Sequence, residues 1–219
     1  MSKPSFQLGL TGAQGTGKTT LAKNLSERTG IRYFDANVRG IIKRNGFDCR
    51  AVMSPLERFK MQEVIAKELF NSYPDDNFVT DRTPVDVVSY ALAYVPPYLV
   101  EGSDLENEIS CALIGLISEA RKALIKKFSH VVLVRGGFST SGKDAKRVDR
   151  GSMSLAYRLK IESLMEGEFF RFANFTDMGG IEWRCMPRDL TDLNKRQDSL
   201  IGLYGKTFDS FGYITDTAH

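Results

Sequence analysis

Lys18 and Thr19 close an octet, Gly12-Ala13-Gln14-Gly15-Thr16-Gly17-Lys18-Thr19, with the spacing G-x-x-x-x-G-K-[ST]. Each fixed residue has a chemical task. The glycines let the backbone turn sharply and aim successive N–H groups into one hollow, an anion cradle. A helix starting near Lys18 adds the positive end of its dipole. The Lys18 ammonium reaches β- and γ-phosphates, and the Thr19 hydroxyl suits Mg2+. Gly12, Gln14, Gly15, Thr16, Gly17, Lys18, Thr19 and Thr20 are therefore the expected contacts of ATP and its Mg2+.

Further residues suited to this chemistry end short apolar runs. Asn77-Phe78-Val79-Thr80 reads as a strand that delivers Asp81, the Walker-B arrangement in which a carboxylate holds Mg2+ directly or through water. Arg82 sets a fixed charge beside it, suited to a phosphate or to the transferring group. Ile31 to Ala36 reads as another strand, delivering Asp35. Asp35 either meets an acceptor substrate or caps a following helix. Asn37 and Arg39 follow on a loop or short helix facing the same cleft. Tyr90 and Tyr94 lie one helical turn apart, either stacking on a substrate base or filling core and rim. Lys143, Lys146, Arg147 and Arg150 fall in a glycine- and serine-rich stretch from Gly136 to Gly151. It is either a solvated charge run or a mobile lid that brings arginines over ATP phosphates.

Such residues work only if elements position them. Phe6 to Thr11 is a strand with apolar residues at 6, 8 and 10, and Thr20 to Arg28 a helix stopped by Gly30. Ser54-Pro55-Leu56-Glu57 opens a helix running to about Asn71, Thr83-Pro84-Val85-Asp86 opens another, and Ser103-Asp104-Leu105-Glu106 a third. Val85, Val88, Leu92 and Val95 mark the second helix's apolar face, and Pro96-Pro97 breaks it. Ser129 to Arg135 is a buried strand, with His130 at its edge. Ser154 to about Ala173 is a helix, with Arg158 near the basic stretch. Ile181 to Met186 is the fifth strand. Asp189 or Thr191 starts a last helix through Leu203, and Pro187-Arg188-Asp189 sits where an adenine ring often rests in such folds. Five strands alternating with helices predict an α/β fold, a doubly wound five-stranded parallel sheet with helices on both faces.

Composition bounds the function. The chain has 219 residues, 42% of them hydrophobic, with a net charge of +3, which suits one domain with a real core and does not by itself favour nucleic acid. Cys49, Cys111 and Cys185 form no C-x-x-C pair, which argues against a zinc site or disulfide framework and suits a reducing cytoplasm. No run approaches the ~18 apolar residues of a membrane span. Gly137 to Lys143 repeats G-x-x-x-x-G-K, but Asp144 replaces the hydroxyl and no apolar-periodic helix follows. Asp177-Met178-Gly179-Gly180 and Asn194-Lys195 imitate GTPase motifs at the wrong spacing and distance.

The octet, Asp81-Arg82-Thr83 after the third strand and the basic stretch after the fourth resemble the nucleoside and nucleotide kinase branch of the P-loop NTPase fold. Thymidylate kinases carry a similar D-R, and deoxynucleoside kinases a similar [DE]-R-S. The order of elements is also similar to ribosylnicotinamide kinase-like proteins and phage-encoded deoxynucleotide kinases. The resemblance implies Lys18 on ATP phosphates, Thr19 and Asp81 on Mg2+, and Asp35 as acceptor of the attacking hydroxyl's proton. It further implies Arg39 on an acceptor phosphate, Arg82 orienting the acceptor or stabilising charge, and Arg147 and Arg150 in the lid. Two features depart from it: no E-P follows the second strand, and the lid lacks a compact R-x-x-x-R-x-R pattern.

The expectation is one kinase domain over 1–219, with a lid-like insertion at about 136–151 and a short tail at 206–219. Its expected activity is ATP-dependent phosphoryl transfer to a nucleoside or (deoxy)nucleoside monophosphate. Two alternatives stay open: a kinase acting on a hydroxymethylated pyrimidine in DNA, and an ATPase switch with no acceptor but water. The expected setting is cytoplasmic, without a membrane partner, with a homodimer and DNA as possible associations.

Overall fold

A computed structural model describes residues 5–48, 51–136 and 155–209. Its strands are β1 (Gln7–Thr11), β2 (Arg32–Phe34), β3 (Phe78–Thr80), β4 (His130–Leu133) and β5 (Glu182–Cys185). They form one sheet in the order β2-β3-β1-β4-β5, and every neighbouring pair is parallel. The helices are α1 (Lys18–Thr29), α2 (Val38–Arg44), α3 (Pro55–Ser72), α4 (Pro84–Ala93), α5 (Asp104–Lys127), α6 (Leu155–Ala173) and α7 (Leu193–Asp209).

Strand alternation sorts the helices onto two faces. Leu8, Leu10, Val79 and Val132 point to one side, where Leu21 and Leu25 of α1 and Leu200 and Leu203 of α7 cover them. Phe78, Val131 and Leu133 point to the other, into a larger cluster supplied by α3, α4, α5 and α6. Each fully buried leucine or phenylalanine contributes about 1.5–3 kcal/mol relative to exposure, so the two layers clasp the sheet between them. Gly9 sits on the crowded side of β1. A Cβ there would lie 2.5 Å from Thr83 Cγ2 and 2.8 Å from Phe128, so the glycine lets the start of α4 approach the sheet.

Local chemistry sets the helix ends. Ser54 Oγ accepts from the Glu57 N–H at 3.3 Å and Glu57 Oε2 accepts from the Ser54 N–H at 2.7 Å, the expected reciprocal cap, worth about 1 kcal/mol. At α5 only half of it forms. Ser103 accepts from the Glu106 N–H at 3.2 Å, while Glu106 Oε1 accepts from the Ser110 hydroxyl at 2.6 Å. The cap of α2 is Asn37, not Asp35. Asn37 adopts φ 40°, and its side chain accepts from the Gly40 N–H at 3.2 Å. Helix α7 starts after Asp192, whose carboxylate accepts from the Lys195 N–H at 2.9 Å, rather than at Asp189 or Thr191. It also runs beyond Leu203 to Asp209, because Tyr204 and Phe208 pack on Phe6 with ring centroids 5.1 and 6.4 Å away.

Candidate functional site

The octet connects β1 to α1 over the carboxyl end of the sheet. Gly12 has φ 149°, and a Cβ on it would come within 2.3 Å of the Val134 carbonyl oxygen, so no other residue fits between the loop and β4. Gly17 has φ 91° and ends the loop in the left-handed region that glycine enters without strain. Thr16 Oγ1 donates to the Ala13 carbonyl at 3.1 Å. Lys18 is buried, and its ammonium donates to the carbonyls of Gly12 and Ala13, the latter at 2.9 Å, so it lies across the inside of the loop. Burial, and after it the Arg82 charge, lowers the Lys18 pKa to about 8 against the pull of Asp86 and Asp81.

β3 is the neighbour of β1, and this adjacency brings Asp81 to the loop. The Thr19 hydroxyl donates to Asp81 Oδ2. The two residues expected to serve Mg2+ are thus in contact across 62 positions of sequence. Tyr33 of β2 faces the Asp81 carboxylate. Burial first, then the Asp81 and Asp35 charges, push the Tyr33 pKa well up, so its hydroxyl keeps its proton. Lys23 lies 5.6 Å from the Tyr33 ring centroid.

Arg82 follows directly. Its guanidinium carbon lies 5.4 Å from the Tyr90 ring centroid, and Nη1 lies 3.5 Å from Asp86 Oδ1. Its side chain is 28% exposed. Burial lowers its pKa, but Tyr90, Asp86 and Asp81 together outweigh this, and the net shift is upward. Tyr90 packs with Ala13 of the loop, Ile161 and Met165, at a rim position beside the phosphate loop. Tyr94 carries the Arg58 guanidinium 4.9 Å from its ring centroid.

Lys18, Thr19, Asp81, Arg82 and Tyr90 therefore converge. Asp35 and Arg39 stand apart from that knot. Asp35 is exposed and its Oδ1 accepts from the Asn37 N–H at 2.9 Å, while its charge still reaches Tyr33. Arg39 is exposed on α2 and, among the described residues, makes no hydrogen bond or ion pair. Thr20 is exposed and Gln14 half-buried on the loop. Arg147 and Arg150, and with them Lys143, Lys146 and the expected lid beyond Gly136, lie outside the described residues.

Arg196 of α7 meets the loop from the far end of the chain, a contact that sequence patterning misses. It is 6% exposed and donates to the carbonyls of Thr16 at 3.0 Å, Arg135 at 2.8 Å and Leu190. Burial lowers its pKa. One guanidinium thus ties the phosphate loop to the end of β4 and to the segment before α7. That segment lines a cavity of about 430 Å3 with Pro187, Asp189, Leu190, Thr191, Asp192 and Lys195, the region expected to receive adenine. Arg188 turns away from it, donating to Glu162 at 2.6 Å and to Glu166.

An AAA domain family model matches residues 8–113, which run from β1 through the octet, Asp81 and Arg82 into α5. No curated protein matches the sequence. Among solved structures, deoxyadenosine kinase from M. mycoides with bound dCTP is 17% identical, with 91% of this chain and 98% of that chain covered and a TM-score of 0.59. Thymidylate kinase from Candida albicans is 13% identical, with 94% and 95% covered and a TM-score of 0.56. NadR in complex with NAD and AMP-PNP is 15% identical with a TM-score of 0.56; 92% of this chain is covered but 50% of NadR, so the likeness spans half of that protein. At these identities the likeness is one of fold: the chain has the P-loop kinase fold that its sequence resembles.

Proposed function

We propose that the protein is a phosphotransferase that moves the γ-phosphoryl group of ATP to a nucleoside or (deoxy)nucleoside monophosphate. The carrying observation is the contact between Thr19 and Asp81 beside Lys18 and Arg82. A hydroxyl and a carboxylate in contact suit Mg2+, which takes few protein ligands and completes an octahedron with water and phosphate oxygens. Among the described residues no group of three or more His, Cys, Asp or Glu could cage an ion unaided. Bound Mg2+ would neutralise phosphate charge there.

The chain's own groups supply the rest. Loop amides and the α1 N-terminus hold phosphate oxygens, and Lys18 places a positive charge on the bridging side. Arg82, kept charged by its neighbours, stabilises the charge that spreads over the transferring group. In the same proposal Asp35 takes the acceptor's proton, Arg39 holds an acceptor phosphate, and Arg147 and Arg150 reach the phosphates from the lid. These four roles rest on resemblance and chain position.

The test is incubation with Mg-ATP and a panel of nucleosides, common (deoxy)nucleoside monophosphates, and DNA with normal or hydroxymethylated bases. The expected outcome is phosphate gain by a nucleoside or nucleotide, and loss of at least about a hundredfold in rate for Lys18→Ala. Transfer to DNA alone, ATP hydrolysis indifferent to every acceptor, or full transfer by Lys18→Ala overturns the proposal.

A further inference from the structure

Asp86 is a buried carboxylate that the roles above leave unused. It is 1% exposed, in the first turn of α4. Its Oδ2 accepts from both the N–H and the hydroxyl of Thr83, each at 2.9 Å. Its Oδ1 faces Arg82 Nη1 at 3.5 Å. Capping alone needs an acceptor oxygen and not a charge. A charge taken this far out of water is unfavourable unless it is paired, and the pair here is Arg82.

Arg82 is held from several sides. The Tyr73 hydroxyl donates to its carbonyl at 3.1 Å, the Tyr90 ring supports one face of the guanidinium, and Asp86 takes one end of it. A long side chain beside the phosphate loop would otherwise sample many rotamers. Arg82 and Asp86 are four residues apart, one in the turn after β3 and one inside α4, so the ion pair ties that turn to the helix.

We propose that Asp86 is a positioning residue, whose carboxylate holds the Arg82 guanidinium against Tyr90 so that the arginine is in place before the transferring group arrives. The inference rests on the phosphoryl transfer proposed above. It acts on turnover rather than on nucleotide affinity, because misplacing a group that acts in the transition state lowers kcat.

Asp86→Asn keeps an acceptor oxygen for Thr83 and removes the charge from Arg82. The expected result is a kcat lowered about ten- to a hundredfold with KM for ATP within about twofold. In an Arg82→Ala background the same substitution has no further effect on kcat. A second variant, Thr83→Val, removes one capping bond and leaves the ion pair; it lowers the melting temperature and keeps kcat. Wild-type kcat in Asp86→Asn, an equal loss in both backgrounds, or a comparable loss in Thr83→Val overturns the proposal. Nitrogen-15 relaxation of the Arg82 Nε–H reads the positioning without any transfer. It is ordered in the wild type and disordered in Asp86→Asn; unchanged order overturns the inference. Lost order in Asp86→Asn, beside a wild type that phosphorylates no acceptor, overturns the proposed function alone.

Discussion

Tyr33 reaches Asp81 from β2 while Thr19 reaches it from α1. The Thr19 hydroxyl donates its one proton to the carboxylate and keeps its oxygen lone pairs for an ion. Tyr33 flanks the same carboxylate from the neighbouring strand side. Partners of this kind around a metal-binding carboxylate are typically worth ten- to a hundredfold in metal affinity. Tyr33→Phe is therefore expected to raise the Mg2+ concentration for half-maximal ATP turnover about tenfold, and to weaken Mg2+-dependent binding of a non-hydrolysable ATP analogue in calorimetry by a similar factor. The loss in stability stays within about 1 kcal/mol, since only one hydroxyl is removed. An unchanged Mg2+ requirement would reduce Tyr33 to a packing partner of Lys23. Lys18, Thr19 and Asp81 were legible in the sequence as neighbours, because the octet and a carboxylate ending an apolar run each follow a strand. Tyr33, Asp86 and Arg196 were not, because nothing in their own neighbourhoods marks them. Their roles arise from contacts that exist only once strands are paired; Arg196 meets Thr16 across 180 positions.

Element boundaries were legible where a side chain writes its own hydrogen bond, as at Ser54 and Glu57, and blurred where several residues compete for the task, as at Asp35 against Asn37. His130, expected at a strand edge, shows what tertiary contact adds. It is buried at the start of β4, with Nδ1 2.7 Å from Ser129 Oγ and Nε2 3.2 Å from Thr207 Oγ1 of α7 and 3.3 Å from Glu182 Oε2 of β5. Its ring lies 4.7 Å from Phe6. Burial, only partly opposed by Glu182, lowers its pKa below 6.5. The unfolded chain therefore takes up this proton more readily than the folded one. Stability is fully present above pH 6.5 and falls as pH drops below it, through the lower folded value. Urea unfolding at steps from pH 8 to pH 5 is expected to show that decline, and His130→Gln is expected to be flatter over the same interval. Glu57 and Glu68 have pKa values held below 4.5, by the Ser54 N–H and by Asn45 respectively, so their loss falls in a lower window. A wild type as flat as the variant above pH 5 would refute the assignment.

At the scale of the molecule, the order β2-β3-β1-β4-β5 sets β3 and β4 against β1, so loops from three parts of the chain meet at one edge. Three-residue strands carry no mark of their neighbours, so the alternation of strands and helices predicted the class and the ligand-bearing end, not this order. The last helix closes the arrangement. α7 packs on α1, and Arg196 satisfies carbonyls of Thr16, Arg135 and Leu190 at once. This guanidinium fixes the distance between the octet and the cavity beside Leu190, on which a nucleotide bridging the two, as the proposed function requires, would depend. Arg196→Lys keeps the charge but replaces a planar fork that spans three acceptors with a single ammonium. It is expected to raise KM for ATP about tenfold while KM for the acceptor stays within twofold, because the acceptor side of the site is built from other elements. Arg196→Ala also takes this donor from three part-buried carbonyls, and a loss of about 1–3 kcal/mol in all is expected, read as a lower urea midpoint. If Arg196→Lys changes both KM values together, or neither, Arg196 serves stability and not the spacing of the nucleotide site.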